Sequence, residues 1–243
     1  MTSPFVLTVY RHNRPYRLDV PGHRLVPLPR DWSNRLAGGY RFRRTAPGTW
    51  AVYDEHGARV LQAHGNISIS ADGRLVGVGR TGVDVTDMSR VTLPRGCGVG
   101  ARDGSSWYLL CGDDGPWVDV MTGGAVRVLA PRLGRFRDGW AGWYTSVTPS
   151  PDGRSLLLQY SGECETPIAF EVSAAGGRPR PVVGGAWQRA PESLGVGWTR
   201  AGAALVQLLP PACGASRSPG LWAFHGRAAR RIAGVGTTVW GAW

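Results

Sequence analysis

The sequence predicts an all-β fold, a six-bladed β-propeller closed by a composite blade from the N- and C-termini, and three observations predict it. A unit recurs five times along the chain: a strand ending in a Gly-containing turn, a second strand, then a hairpin leading to an Arg-Val-Leu-like strand. Between turns, apolar and polar residues alternate in short runs, the period-2 pattern of half-buried strands. The two ends carry complementary halves of one further unit. Repeats of this length and composition are those of propellers, where each blade buries its faces only against its neighbours.

Taking the glycine of the first turn as the ruler, the units align at Gly39, Gly73, Gly104, Gly153 and Gly202. The clearest copy reads Thr148-Pro149-Ser150-Pro151-Asp152-Gly153-Arg154-Ser155-Leu156-Leu157-Leu158 and ends in Ala175-Gly176-Gly177. After each turn a strand is predicted: Arg41 to Arg43, Leu75 to Val78, Trp107 to Leu110, Leu156 to Gln159, and Ala204 to Leu208. Asp and Gly at the turns supply side-chain capping and positive φ. Residues 15–26 mirror residues 116–128, so the N-terminus provides the outer strands of a unit lacking its first strand. Residues 236–240 are expected to supply that strand by pairing with 5–10, which removes two open edges. The blades then span 235–243 with 4–28, 30–62, 66–93, 97–129, 143–183 and 194–233, one domain over 1–243.

All 28 basic residues are arginine, and the net charge is +11. Arginine with abundant Gly and Ala fits the codon usage of a GC-rich, actinobacterial-type genome. The arginines are spread over the repeats and no nucleic-acid motif accompanies them, so a solvated basic surface is expected and nucleic acid is not an expected partner. No apolar run reaches membrane-spanning length, and residues 1–17 lack a signal-peptide core. As given, the chain reads as a soluble cytoplasmic monomer.

The Ser150-Pro151-Asp152-Gly153 segment, its following apolar strand and the Ala175-Gly176-Gly177 turn resemble the TolB-like family of six-bladed propellers. The likeness covers roughly 143–183, is weaker around Asp72-Gly73 and Asp103-Gly104, and is degraded at Ala201-Gly202. Only turn residues match. The resemblance implies a fold and a class of protein-interaction scaffolds, often outside the cytoplasm, and leaves the ligand open.

In a propeller, loops joining first to second strands share a face with those joining third to fourth. The remaining loops lie on the opposite face. The extra residues of the longer units fall at 130–142 and 183–193, between blades, and at 161–166 and 209–220, between second and third strands. All four belong on one face, and long loops on a rigid scaffold are where binding concentrates. Ligand-face candidates are Arg132, Arg135, Arg137, Trp140, Trp143, Glu163, Glu165, Trp187, Arg189 and Arg217, because Trp and Arg dominate binding hot spots. Glu192 belongs to the same loops. The expected partner is a protein or an anionic glycan. Trp107, Trp117 and Trp222 are assigned to packing within strands.

Cys97 and Cys111 lie equally far from Gly104, opposite each other across one hairpin, which leaves a cross-strand disulfide or two buried free thiols open. Cys164 and Cys213 occupy matching loop positions in neighbouring blades and are the expected disulfide, which would place the chain outside the cytoplasm. His12, His23, His56, His64 and His225 are scattered without metal-ligand spacing, so neither metal nor cofactor is expected. The Gly214-Ala215-Ser216-Arg217-Ser218 run lacks the last glycine of a nucleophile elbow. A non-catalytic binding scaffold is the leading reading. The alternative is a propeller hydrolase or lyase, or a peptidase gate, with a dispersed site at the channel mouth.

Overall fold

A computed structural model describes the chain except residues 1–6, 12–13, 20–23, 28–35, 113–116, 136–140, 163–166, 185–189, 210–219, 227, 234–237 and 243. The described residues form antiparallel sheets joined by turns, with a single 3-10 turn at Ala37–Gly39 as their helical element.

Among the described residues six sheets follow one another along the chain. Sheet 1 contains β1 (Leu7–Arg11), β2 (Arg14–Asp19) and β3 (Arg24–Pro27). Sheet 2 contains β4 (Arg41–Ala46), β5 (Thr49–Tyr53) and β6 (Arg59–His64). Sheet 3 is β7 (Ile67–Ile69), β8 (Leu75–Val78), β9 (Thr81–Asp84) and β10 (Arg90–Thr92). Sheet 4 is β11 (Cys97–Asp103), β12 (Ser106–Cys111), β13 (Trp117–Thr122) and β14 (Ala125–Ala130). Sheet 5 is β15 (Trp143–Pro149), β16 (Ser155–Ser161), β17 (Ile168–Ser173) and β18 (Arg180–Pro181). Sheet 6 is β19 (Ser193–Trp198), β20 (Ala204–Leu208), β21 (Gly220–His225) and β22 (Ala228–Ala233). The C-terminal β23 (Thr238–Ala242) returns to sheet 1 and pairs antiparallel with β1, so that sheet takes strands from both ends of the chain. The order β23-β1-β2-β3 is the composite arrangement the terminal half-units predict.

Sheets 2 to 6 pack face to face in order. Val52 of sheet 2 meets Val76 and Val78 of sheet 3, and Leu75 and Leu93 of sheet 3 meet Val99, Trp107 and Leu109 of sheet 4. Tyr108 and Val120 of sheet 4 meet Tyr144, Leu158 and Phe170 of sheet 5. Leu157 and Ala169 of sheet 5 meet Trp198 and Val206 of sheet 6. The central strands carry most of this burial: Leu156, Leu157, Leu158 and Tyr160 of β16 are each at most 1% exposed. A strand buried on both faces reads as a continuous apolar run, which is why Leu156-Leu157-Leu158 shows no alternation.

In sheets 3, 5 and 6 the ruler glycine closes one kind of turn, its N–H donating to the carbonyl three residues back. In sheets 3 and 5 it is the same hydrogen-bonded device. Ser70 Oγ donates to Asp72 Oδ1 at 2.5 Å, and that oxygen accepts the Arg74 N–H at 3.0 Å while Ser70 Oγ accepts the Leu75 N–H. Ser150, Asp152, Arg154 and Ser155 repeat it at 2.7, 3.1 and 2.9 Å. Sheet 6 replaces it with Thr199 Oγ1 accepting the Ala203 N–H. Gly153 sits at φ 68° with its absent Cβ 2.9 Å from Asp103 Oδ2, so a side chain there would be strained and would also press on the neighbouring turn. At Gly39 the glycine precedes β4, and the described residues give sheet 2 three strands; residues 30–35 lie outside the described residues.

Three first strands bulge, between Val99 and Ala101, Tyr144 and Ser146, and Gly195 and Gly197. A bulge strengthens local twist and bends the strand. Ser68 Oγ accepts the Val99 N–H at 3.0 Å, tying β7 to β11.

Candidate functional site

The antiparallel order puts the four long connections at one end of sheets 5 and 6. Trp143 pairs with Ser161 and Tyr160 with Ile168, so β15 begins where β16 ends and β17 begins. Ser193 pairs with Leu208, and Leu208 with Gly220, giving sheet 6 the same polarity.

Buried polar groups fasten the roots of these connections to one another. Tyr144 Oη donates to the Pro131 carbonyl at 3.1 Å. The Ser193 N–H donates to the Pro167 carbonyl at 2.7 Å, Ser193 Oγ accepts the Ala169 N–H, and the Leu209 N–H donates to the Glu192 carbonyl. Gln159 bridges sheets 5 and 6: its Nε2 donates to the Ser193 carbonyl at 3.2 Å and its Oε1 accepts the Gly195 N–H at 2.6 Å. Below them Tyr144 and Tyr160 meet edge to face at 5.0 Å, and Tyr160 meets Phe170 at 6.1 Å. Burial pushes the Tyr160 phenol up, against the opposing pull of the Gly142 backbone and the Arg132 charge. Burial raises the Tyr144 phenol as well. Both phenols are neutral anchors.

Of the predicted ligand-face residues, three lie among the described ones. Arg132 and Arg135 are exposed on either side of Leu133, whose burial against the core of sheets 4 and 5 turns its neighbours outward. Trp143 opens β15 and is half-buried. Glu192 is only 6% exposed, so it is a buried root residue and not part of a free loop. Arg137, Trp140, Glu163, Glu165, Trp187, Arg189, Arg217, Cys164 and Cys213 lie outside the described residues. Trp107 is buried, and Trp117 and Trp222 are half-buried against the intersheet cores, as their assignment to packing requires.

Between the two alternatives left for Cys97 and Cys111, the structure holds a disulfide, with S–S 2.05 Å and Cα atoms 4.0 Å apart. The flanking bond from the Gly112 N–H to the Gly96 carbonyl makes Cys97 and Cys111 a non-hydrogen-bonded pair, the one in which facing side chains approach closest. Asp119 lies beside them, and sequence reasoning missed it. The Sγ atoms and an Asp119 carboxylate oxygen all fall within 4.8 Å of one another. Burial pushes the Asp119 carboxyl up, with the Trp117 indole N–H opposing at 3.3 Å.

The opposite end of sheets 3 and 4 carries an ionic cluster that sequence reasoning also missed. Asp84 is fully buried; its Oδ1 accepts from Thr86 and its Oδ2 accepts from Arg102 Nη1 at 2.8 Å, with Arg74 Nε 2.7 Å away. Arg102 Nη1 also reaches Asp87 Oδ2 at 2.8 Å and the Ser89 hydroxyl, and its guanidinium lies over Trp107. Burial pulls Arg102 down, but its bonds to Asp87 and Asp84 win and raise it.

No family model and no curated protein matches the chain. Among solved structures it is similar to TolB from Acinetobacter baumannii, at 13% identity and TM-score 0.48, over 95% of this chain and 69% of that one. It is also similar to a TolB assigned in Agrobacterium tumefaciens, at 15% identity and TM-score 0.45, over 72% and 65%. A periplasmic gluconolactonase from Pseudomonas aeruginosa matches at 19% and 0.43, over 94% and 76%. The chain spans 59% of the length of a hydrazine synthase chain from Kuenenia stuttgartiensis that it also matches. These likenesses are to propeller proteins, TolB among them.

Proposed function

We propose that the chain is a six-bladed β-propeller, closed through the pairing of β23 with β1, that serves as a non-catalytic binding scaffold. Its ligand face is the end of sheets 5 and 6 that bears the four long connections, and the ligand is a protein surface or anionic glycan. The observation that carries this reading is the set of hydrogen bonds around Gln159 and Ser193. They fix the loop roots on a rigid base, and rigid presentation lowers the ordering cost of binding. Arg132 and Arg135, turned outward by Leu133, supply guanidinium groups for carboxylate or sulfate. The tryptophans of the same loops supply flat apolar surface.

The test is capture from native lysate by the purified chain, followed by identification and titration of the captured component. Replacing Arg135, Arg137, Trp140 and Trp187 with Ala abolishes capture while circular dichroism stays native. Normal capture by that variant, together with loss on replacing Asp72, Asp103 and Asp152, would place the function at the turn-bearing end.

A further inference from the structure

The cystine of sheet 4 stands beside a carboxylate with one oxygen unsatisfied among the described residues. In β13, Trp117, Asp119 and Met121 share one face, the face on which Cys111, Leu109 and Trp107 lie in β12. That face packs against Leu75 and Leu93 of sheet 3. Asp119 is 8% exposed; its Oδ2 accepts the Trp117 indole N–H, and its Oδ1 is buried with no hydrogen-bond partner among the described residues. An orphaned carboxylate oxygen among apolar side chains is costly, and such an atom in a native fold calls for an ion, a water or a functional role. The cystine sulfurs beside it are weak acceptors and offer no proton. Cys111 is fully buried, whereas Cys97 is half-buried and gives the cluster an edge toward solvent.

We propose that Cys97 Sγ, Cys111 Sγ and Asp119 Oδ1 form a redox-gated site for a thiophilic divalent cation of the zinc class, closed as the disulfide and opened by reduction. Two thiolates and a carboxylate neutralise the cation and satisfy Oδ1, and a water fills a fourth, tetrahedral position on the Cys97 side. Zinc–sulfur bonds of about 2.3 Å and zinc–oxygen bonds of about 2.0–2.2 Å bring tetrahedral ligand atoms within about 4 Å of each other. Both sulfurs and an Asp119 carboxylate oxygen already lie within 4.8 Å of one another, so the strand register holds the three ligand residues together.

The opening step takes two electrons from a phosphine or a dithiol. With a phosphine, phosphorus attacks one sulfur and the S–S bond breaks. Water then supplies the oxygen of the phosphine oxide and the two protons of the thiols. Cation binding releases those two protons and leaves both thiolates coordinated.

The experiment uses the full chain with Cys164 and Cys213 replaced by Ser, reduced with a phosphine that is then removed anaerobically. Cadmium is titrated to develop the thiolate-to-metal charge-transfer band, and zinc affinity is measured by competition with a chromophoric chelator. The reduced chain binds one equivalent and the oxidised chain none. Asp119→Asn, nearly isosteric, weakens zinc binding at least about tenfold. Cys97→Ser removes the charge-transfer band's two-thiolate intensity. X-ray absorption at the zinc edge reports two sulfur ligands with oxygen completing the shell. Equal binding to the oxidised chain, unchanged affinity in a natively folded Asp119→Asn variant, or a shell without sulfur would overturn the proposal.

Discussion

Asp84 of sheet 3 and Arg102 of sheet 4 are bonded across the junction of the two sheets, Oδ2 to Nη1 at 2.8 Å, with the carboxylate fully buried and the guanidinium group 16% exposed. The pair closes the turn-bearing end of the junction, as the Cys97–Cys111 disulfide marks the other. Removing one partner of such a bond leaves the other charge desolvated. Asp84→Asn is expected to cost about 2–3 kcal/mol. Arg74→Ala, whose side chain is 36% exposed, should cost under about 1 kcal/mol. Urea unfolding of the two variants distinguishes them, and equal losses would refute the assignment of Arg102 as the principal partner.

Asp87 keeps its charge to lower pH than an ordinary carboxylate. Hydrogen bonds from the Ser89 side chain and backbone, then from Arg102, hold its carboxyl at about 2, below the ordinary 3.8. A depressed folded-state value means the contribution is fully present above the unfolded value and is lost as pH falls through about 2. The gap in unfolding midpoint between wild type and Asp87→Asn should therefore be present near pH 5 and close toward about pH 2. A gap independent of pH in that window would contradict the ionic role.

Gln159 bonds both the Ser193 carbonyl and the Gly195 N–H. Gln159→Leu keeps the volume and strands both backbone groups, at a cost of about 1–3 kcal/mol. Hydrogen exchange should then rise at Gly195 and at the root of the 183–193 connection. Exchange confined to β16 would show that the bridge does not hold the loop.

The composite sheet makes a separate claim. Deleting residues 237–243 removes β23 and leaves β1 an open edge. The truncated chain should melt well below wild type and associate through the exposed edge. An unchanged melting temperature and a monomeric truncation would refute closure through β23.

Much of the fold was legible because its signals are local. The glycine ruler found the recurring turns, and the predicted strands Leu75 to Val78 and Ala204 to Leu208 coincide with β8 and β20. The equal spacing of Cys97 and Cys111 about Gly104 placed them opposite each other, and their pairing required the strand register, which fixes a non-hydrogen-bonded pair. Asp84 and Arg102 belong to different sheets and follow no motif, so only packing reveals their bond. Asp119 was hidden for a related reason: its nearness to Cys111 comes from the period-2 face of β13 against β12. Glu192 looked like a loop carboxylate because polarity signals exposure on average, yet its backbone carbonyl receives the Leu209 N–H at a buried root.

The most direct test of the binding face is photo-cross-linking with the captured component. A photoreactive amino acid is placed in turn at Arg135, beside the long connections, and at Asp152, in the turn at the far end of sheet 5. The account predicts a cross-linked adduct from position 135 and none from 152, with the yield at 135 falling as salt screens the guanidinium contacts. An adduct from 152 with none from 135 would contradict it.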